Sequence, residues 1–213
     1  MRRQTAHKSI AAASIVAVAA VAGIAFLPVP QLADANASAS IVQEARTYNV
    51  DPVHSTVVFS AMYMGMSPFY GQFTDYSGTL TYDGESASSL KLELEIPMDS
   101  IDTHNTQRDN HLKAPDWFDA RQYPTVKFTS GEVSEGDDGT YEMQGELTLH
   151  GVTKAVTATV TDLKAASTPR GDRAGLGATF TVKRSDFGVT TMMGDEGIGD
   201  EITLHVGLQA TAQ

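Results

Sequence analysis

Most of the chain alternates apolar and polar residues with a period of two. The clearest segments are 90–96, 141–149 and 202–208, in which nearly every second residue is apolar. This period is typical of antiparallel strands that bury one face and expose the other. Shorter runs of strand character lie at 126–129, 152–160 and 178–183, and turn-forming sequences stand at 82–84, 135–139, 150–151 and 169–172. The pattern therefore predicts about eight strands arranged as a sandwich or a barrel.

Residues 103–124 interrupt this alternation. They hold two of the six histidines, the only tryptophan and many charged side chains. The sequence of 106–109, Thr-Gln-Arg-Asp, matches the aspartate variant of a capping box and predicts a short helix that ends at 112 or 113, before a proline. A further helical turn would follow, with Trp117 and Phe118 as an apolar plug.

The N-terminal residues have the layout of a secretory signal. A basic start is followed by an uncharged apolar run at 10–27 and by small-x-small cleavage sequences, which predicts a signal peptide over 1–37. A linker over 38–46 and one domain over 47–213 would follow. The predicted location is the periplasm or the cell exterior. The apolar run also reaches the length of a membrane span, so an uncleaved membrane anchor is the alternative.

Composition excludes several kinds of partner and site. The net charge of −11 becomes −13 when residues 1–37, with three cationic and one acidic side chain, are removed. So acidic a domain is a poor partner for nucleic acid. The absence of cysteine excludes disulfides and thiolate metal sites.

The histidines and serines form no recognisable catalytic or metal motif. The histidines lack metal-site spacing, and His150 and His205 are expected to face solvent. His54 and Ser55 are adjacent on a strand and would point to opposite faces, so they are expected to organise the strand start. We therefore predict no catalytic residue, no metal and no cofactor.

Two further groups of residues leave alternatives open. Arg108 and His111 share a face of the predicted helix, where Asp109 could cap its start. They would either close one end of the fold, which we favour, or contact a ligand head group. The methionines would fill the core or an adaptable lipid pocket, and they recur at 62, 64, 66 and 192–193.

A resemblance that covers essentially Tyr48 to the C terminus rests on eight short fragments, taken in their order and spacing. They are YNVDPVHS at 48–55, FYGQFTDYSGTL at 69–80, SIDT at 100–103, RDNHL at 108–112, DWFD at 116–119, YPTVKFTS at 123–130, GELTLHGVTK at 145–154 and RSDFG at 184–188. Together they resemble the YceI-like family of exported lipid-binding proteins, which are polyisoprenoid-binding and lipocalin-like. The sequence departs from the family at Tyr63, where members commonly have histidine, and at Ala155, where they have proline.

The resemblance implies an all-β fold, an extended antiparallel lipocalin-like barrel of about eight strands with a short helical insert between two of them. It also implies a carrier, not an enzyme, that holds one amphiphilic lipid: a polyisoprenoid, an isoprenoid quinone precursor or a fatty-acid derivative. A homodimer and transient membrane contact for lipid exchange are further expectations. The alternatives are an enzyme acting on a lipid or quinone-like substrate and a ligand-free structural or stress protein.

Alternation and family position together select the expected ligand-binding residues. These are Phe59, Ala61, Tyr63, Phe73, Arg108, His111, Trp117, Phe118, Phe128, Met143, Leu147, Phe180 and Phe187.

Overall fold

The computed structural model describes residues 44–194 and 196–213. The predicted signal peptide, its alternative as an anchor and nearly all of the predicted linker lie outside these residues. The first described strand begins at Arg46, at the end of the predicted linker. Within the described ranges, the structure has no helix with the length and apolar character that a membrane span requires.

The described residues form antiparallel strands with one short α-helix, which confirms the predicted fold class. The strands are β1 (Arg46–Val50), β2 (Thr56–Tyr63), β3 (Ser67–Phe73), β4 (Ser77–Tyr82), β5 (Lys91–Pro97), β6 (Ile101–Asp102), β7 (Thr125–Glu135), β8 (Tyr141–Leu149), β9 (Val152–Thr168), β10 (Gly171–Lys183) and β11 (Ile198–Ala212). The helix is α1 (Thr106–Leu112), and 3₁₀ turns lie at Ala87–Ser89, Met98–Ser100, Asp137–Gly139 and Arg184–Phe187.

The strands close into an eight-membered barrel, which decides between barrel and sandwich. Strands β1, β4, β5, β7, β8, β9, β10 and β11 pair in that order, and β1 pairs back with β11. From β11 the sheet also continues through β2, β3 and β6. Three of the eight barrel strands are therefore each built from two pieces, β1 with β2, β3 with β4, and β5 with β6. Neighbours in the barrel are neighbours in the chain, so the topology is up-and-down.

The break between β1 and β2 is held by side chains that replace strand hydrogen bonds. Ser55 Oγ accepts from Gln209 N at 3.0 Å and donates to Gln209 O at 3.2 Å. The Asp51 carboxylate lies 2.8 Å from His54 Nδ1, and this hydrogen bond lowers the pKa of Asp51. As the sequence predicted, His54 and Ser55 organise the start of β2 and form no base–nucleophile pair.

One end of the barrel is sealed by its own core. At this end β1 begins, and β4 and β11 finish. Inward-facing apolar side chains pack there with almost no exposed surface, and they include Tyr48, Leu80, Tyr82, Leu90, Leu176 and Ala210. At the opposite end, which carries α1 and the 3₁₀ turn after β10, the interior is accessible.

Helix α1 begins one residue earlier than the capping-box sequence predicted. Its N-cap is Asn105, whose side chain accepts a hydrogen bond from Arg108 N at 3.0 Å. Asp109 does not cap the helix start. Its Oδ1 accepts from Thr103 N at 2.9 Å and from Thr103 Oγ1 at 2.5 Å, and it so ties α1 back to the end of β6.

The expectation that His150 faces solvent is wrong. His150 and Gly151 both have positive φ, 51° and 74°, as the two-residue hairpin turn between β8 and β9 requires. The half-buried imidazole packs against Tyr123, with ring centroids 4.7 Å apart, and its Nδ1 lies 2.9 Å from Phe187 O. A turn residue is buried here because the insert before β7 folds over the hairpin.

Candidate functional site

A continuous apolar cavity occupies the barrel interior on the accessible side of the sealed end. Of the 27 residues that line it, 26 are apolar and the other is Arg184. The cavity has a volume of about 120 Å³. The apolar lining follows from the alternation, because the apolar face of each strand points inward.

Nine of the expected ligand-binding residues line this cavity. They are Phe59, Ala61, Phe73, Trp117, Phe118, Phe128, Met143, Leu147 and Phe180. Two aromatic groups shape the channel. The rings of Phe128 and Phe180 stack with centroids 6.3 Å apart, and the ring of Phe59 lies 5.7 Å from that of Phe73.

Two inward-facing glycines make room for these rings. Gly71 lies opposite Phe59 in the β2–β3 pairing, and a Cβ on Gly71 would come within 2.4 Å of the Phe59 ring. In the same way a Cβ on Gly145 would come within 2.5 Å of the Phe128 ring. Each ring therefore lies flat against the wall where a side chain is missing, and the channel stays open.

A polar mouth joins the cavity at its accessible end. The cavity and the mouth share Phe69, Leu112, Trp117 and Ile198, and the rest of the mouth is lined by Tyr63, Asn105, Gln107, Arg108, His111 and Met192. The helix α1 thus supplies most of the polar groups of the mouth.

Arg108 and His111 both face the mouth, and both hold the insert in place. Arg108 donates from Nε to Thr103 Oγ1 at 2.7 Å and from Nη2 to Thr103 O at 2.6 Å, and its Cζ lies 4.7 Å from the Phe69 ring centre. His111 Nε2 lies 3.1 Å from the Asp116 carboxylate. Arg108 and His111 therefore lie where they can serve either alternative, closing this end of the fold or contacting a ligand head group.

Two other expected residues lie outside the cavity. The side chain of Tyr63 keeps the inward phase of β2, but it lies at the last residue of the strand, where it borders the mouth and is largely exposed. Phe187 is fully buried in the 3₁₀ turn after β10, packed with the main core and away from the channel. Phe187, contrary to expectation, lines neither the cavity nor the mouth, whereas Tyr63 lies at the mouth. Alternation carries no information on where a strand leaves the barrel.

Of the lining residues that the sequence did not select, Arg184 is the one with a charged side chain. It is 2% exposed, and its guanidinium satisfies four backbone carbonyls, two in the segment that connects β10 to β11 and two at the start of β11. Nε donates to Gly199 O at 3.1 Å, Nη1 to Val189 O at 3.1 Å and Thr191 O at 2.8 Å, and Nη2 to Ile198 O at 2.9 Å. Because its donors point at carbonyls, Arg184 presents no polar surface to the channel.

Arg184 also supports the wall formed by the insert. Its Cζ lies 5.4 Å from the Trp117 ring centre, in a cation–π arrangement. Burial lowers the pKa of Arg184, and the nearby Asp200 carboxylate opposes that shift. The only sequence signal at this position is the RSDFG fragment at 184–188, which carries the family resemblance but does not indicate a buried arginine.

Exposed apolar side chains are concentrated around the mouth. Except for Val53, the large hydrophobic residues that are exposed in the described part of the chain lie on the β2–β3 hairpin or the segment before β11: Met62, Tyr63, Met66, Tyr70, Met192 and Met193. A backbone hydrogen bond joins these two segments, from Met64 N to Gly197 O at 2.7 Å, and another, from Ile198 N to Met192 O at 2.8 Å, closes the second segment on itself. We call this group the methionine rim. Neither interpretation of the methionines is correct for the four exposed ones, because they pack neither in the core nor in the cavity.

Comparison with known proteins agrees with this architecture. A sequence model of the YceI-like domain matches residues 48–210. The chain belongs to the YceI-like family. The protein YceI of Escherichia coli O6:H1 is 34% identical over 172 residues, which cover 79% of this chain and 88% of that protein. The resemblance found in the sequence fragments is thereby confirmed.

Solved structures share this fold. BcnA of Burkholderia cenocepacia superposes with a TM-score of 0.66 at 26% identity, over 76% of this chain and 99% of that one. A polyisoprenoid-binding domain from Saccharophagus degradans superposes with a TM-score of 0.59 over 78% of this chain and 98% of that one. Its identity of 17% makes this second likeness one of fold alone.

Proposed function

We propose that this YceI-like protein is an exported carrier that holds one amphiphilic lipid inside its barrel. The observation that carries the proposal is the unbroken apolar lining, sealed at one end and joined to a polar mouth at the other. Such a channel suits a long tail with a single polar end. Burial of the tail contributes about 0.8 kcal/mol per CH₂, enough over a long chain to offset the cost of association.

The proposed ligand class is a polyisoprenoid, an isoprenoid quinone precursor or a fatty-acid derivative. Phe59, Phe128 and Phe180 give the channel flat aromatic walls against which methyl-branched or straight chains can pack. The fold-level likeness to a domain described as polyisoprenoid-binding points to the branched chain as the first candidate.

Mass spectrometry of the bound material tests the proposal. Protein purified from its native host would be extracted with organic solvent, and we expect one lipid species at close to one per protein. Stripped protein should then rebind the extracted lipid. If native protein carries no lipid and the stripped protein binds none that is added, the carrier proposal is wrong and a ligand-free structural role is favoured.

The lining also supports binding over catalysis. Among the described residues, those that line the cavity include no carboxylate, imidazole, hydroxyl or thiol that could transfer a proton. An enzyme acting on a bound lipid would need such groups. A measured turnover that is lost on Asp109→Asn or His111→Gln, with lipid affinity unchanged, would favour the enzyme alternative.

The methionine rim is the proposed contact with a membrane during lipid exchange. Two of its members, Tyr63 and Met192, line the mouth through which a tail would pass, and it combines flexible thioethers with tyrosines that tolerate both water and acyl chains. Because the protein is strongly acidic, a zwitterionic surface is the favoured partner and an anionic one is repelled.

Transfer of a fluorescent fatty acid from phosphatidylcholine vesicles to the stripped protein tests this contact. We expect the double change Met66→Ser with Met192→Ser to slow transfer several-fold without changing affinity at equilibrium. Val53→Ser is the matched control, because Val53 is equally exposed but lies far from the mouth, in the break between β1 and β2. Equal transfer rates in both variants would exclude the methionine rim as the membrane contact.

The homodimer stays a prediction, and sedimentation velocity measures the oligomeric state directly.

A further inference from the structure

The sole tryptophan of the chain stands where the channel meets the mouth. Trp117 is 4% exposed and lines both the cavity and the mouth. Any ligand that enters the cavity from the mouth must pass along this indole.

The indole is held rigidly from both sides. Trp117 N donates to Ala114 O at 3.0 Å in the turn after α1, and the hydroxyl of Thr191 donates to the carbonyl of Asp116. The Arg184 guanidinium lies 5.4 Å from the ring centre, and the His111 ring meets the indole edge-on with centroids 5.9 Å apart. The position of the side chain is therefore set before a ligand arrives.

This indole carries a hydrogen-bond donor without an acceptor. Trp117 Nε1 is the one buried side-chain nitrogen or oxygen for which the described residues offer no partner. Buried tryptophan N–H groups are normally paired, and leaving one unpaired costs free energy. The neighbours Arg184 and His111 do not supply the acceptor, since the first only donates and the second lies near Asp116. An acceptor atom on a bound ligand would complete this hydrogen bond.

We call the junction of cavity and mouth at Trp117 the neck. The other residues of the neck limit the charge that a ligand acceptor can carry there. Arg184 directs its assigned donors at four backbone carbonyls, and the cavity below presents no polar surface. A phosphate or carboxylate at this depth would pay a large desolvation cost and would need several charge-assisted donors. One neutral N–H group matches one neutral acceptor.

We propose that Trp117 Nε1 donates a hydrogen bond to an uncharged carbonyl oxygen of the bound lipid. The head of the ligand then lies within the neck, below Arg108 and His111, and its tail extends toward Phe128 and Phe180. This inference rests on the proposed lipid-carrier function and adds to it the chemical class of the head and its depth in the barrel.

Two probes of equal chain length test the proposal, methyl tridecyl ketone and pentadecane, each delivered from cyclodextrin to stripped protein. Trp117→Phe keeps an aromatic ring and removes the donor. We expect this change to weaken ketone binding about 3- to 10-fold more than pentadecane binding, as the loss of one hydrogen bond predicts. Phe118→Leu is the packing control, and it should weaken both probes by the same factor.

The wild-type protein gives an independent readout that does not depend on folding of a variant. Its single tryptophan yields a single indole signal in a proton–nitrogen correlation spectrum. The ketone should move that signal downfield and slow its hydrogen exchange, whereas pentadecane should leave its proton shift nearly unchanged.

Two results would overturn the inference while leaving the carrier function intact. One is equal loss of both probes in Trp117→Phe. The other is tight ketone binding by the wild type without the downfield movement of the indole signal. Failure of both probes, and of the native lipid extract, to bind the wild type would instead overturn the carrier function and this inference with it.

Discussion

A buried cation can be structural when the backbone provides its acceptors. Arg184 lies at the end of β10, and the four carbonyls it satisfies belong to residues 189–199. Two of these residues lie in the segment between β10 and β11, and the other two, Ile198 and Gly199, open β11 beyond its last pair with β10, Lys183 with Glu201. The planar fork of arginine reaches all four at once, which a lysine ammonium could not do.

Replacing Arg184 by methionine should therefore destabilise the protein by about 3–5 kcal/mol, because several buried carbonyls lose their donor together. Arg184→Lys should recover only a small part of that loss. Urea unfolding monitored by circular dichroism measures both. Arg173→Met is the control, since Arg173 makes a partly exposed ion pair with Asp51 at 3.4 Å, worth about 1 kcal/mol at most. Equal losses for Arg184→Met and the control would contradict the assigned role.

Asp200 makes the same region sensitive to acid. Burial alone would raise the pKa of Asp200, but hydrogen bonds from Ser185 N at 2.9 Å and Ser185 Oγ at 2.8 Å outweigh it and hold the pKa below its usual 3.8. A carboxylate with a depressed pKa in the folded state stabilises the fold above its unfolded pKa. That contribution disappears as the pH falls through the lower, folded value.

Asp200→Asn should thus lower the free energy of unfolding at neutral pH by about 0.5–1.5 kcal/mol. The difference from wild type should shrink below about pH 4, where the wild-type carboxyl becomes protonated. Thermal unfolding at a series of pH values tests this, with the exposed neighbour changed in Glu201→Gln as control. A difference that stays constant with pH would exclude the ionised carboxylate as its source.

Among elements, the strands were predictable and the ends of the barrel were not. Period-two alternation gave β8 with its observed bounds, Tyr141–Leu149, because each of its inward positions faces the core. Alternation together with family position also selected Tyr63 and Phe187 as ligand-binding residues, and neither lines the cavity. There the chain leaves the barrel wall, and local periodicity no longer reports which surroundings a side chain meets.

The pairing of strands explains a second feature that alternation cannot give, the width of the channel. Gly71 and Gly145 occupy inward positions at which any side chain would push an aromatic ring toward the channel axis. In the sequence they look like weak points of two strands. Only the register, which sets Gly71 opposite Phe59, assigns them a use.

Gly71→Ala should narrow the channel by moving the Phe59 ring. We expect affinity for a long-chain ligand to fall about fivefold or more, which corresponds to roughly 1 kcal/mol of overpacking, while the barrel still folds. Gly131→Ala on β7 is the matched control, because the nearest atom to its added Cβ, Gln144 O, is 3.5 Å away and outside the cavity. Unchanged affinity in Gly71→Ala would show that the ligand does not reach this depth.

At the scale of the whole molecule, the barrel is a closed tube with one usable opening. Closure rests on the short β1–β11 pairing of Tyr48 with Ala212, Asn49 with Thr211 and Val50 with Ala210. The core next to that closure fills the tube at the sealed end, and among the described residues the remaining cavity joins the mouth beside α1 and Trp117. The depth of a ligand is then limited by the sealed end, and its entry by the mouth.

This geometry predicts how affinity and stability depend on chain length. In a series of methyl ketones, each added CH₂ should tighten binding by about 0.8 kcal/mol until the tail reaches the sealed end, after which further carbons should add little. Ligand at a hundred times its Kd should stabilise the stripped protein by about 2.7 kcal/mol, which raises Tm by about 5–10 °C for a domain of this size. Differential scanning fluorimetry of the series, with every ligand at the same concentration, measures both the rise of Tm with chain length and the length at which that rise stops. A break at the same length in Gly131→Ala but at a shorter length in Gly71→Ala would locate the tail in the channel, whereas a slope without any break would mean that the tail lies outside the barrel.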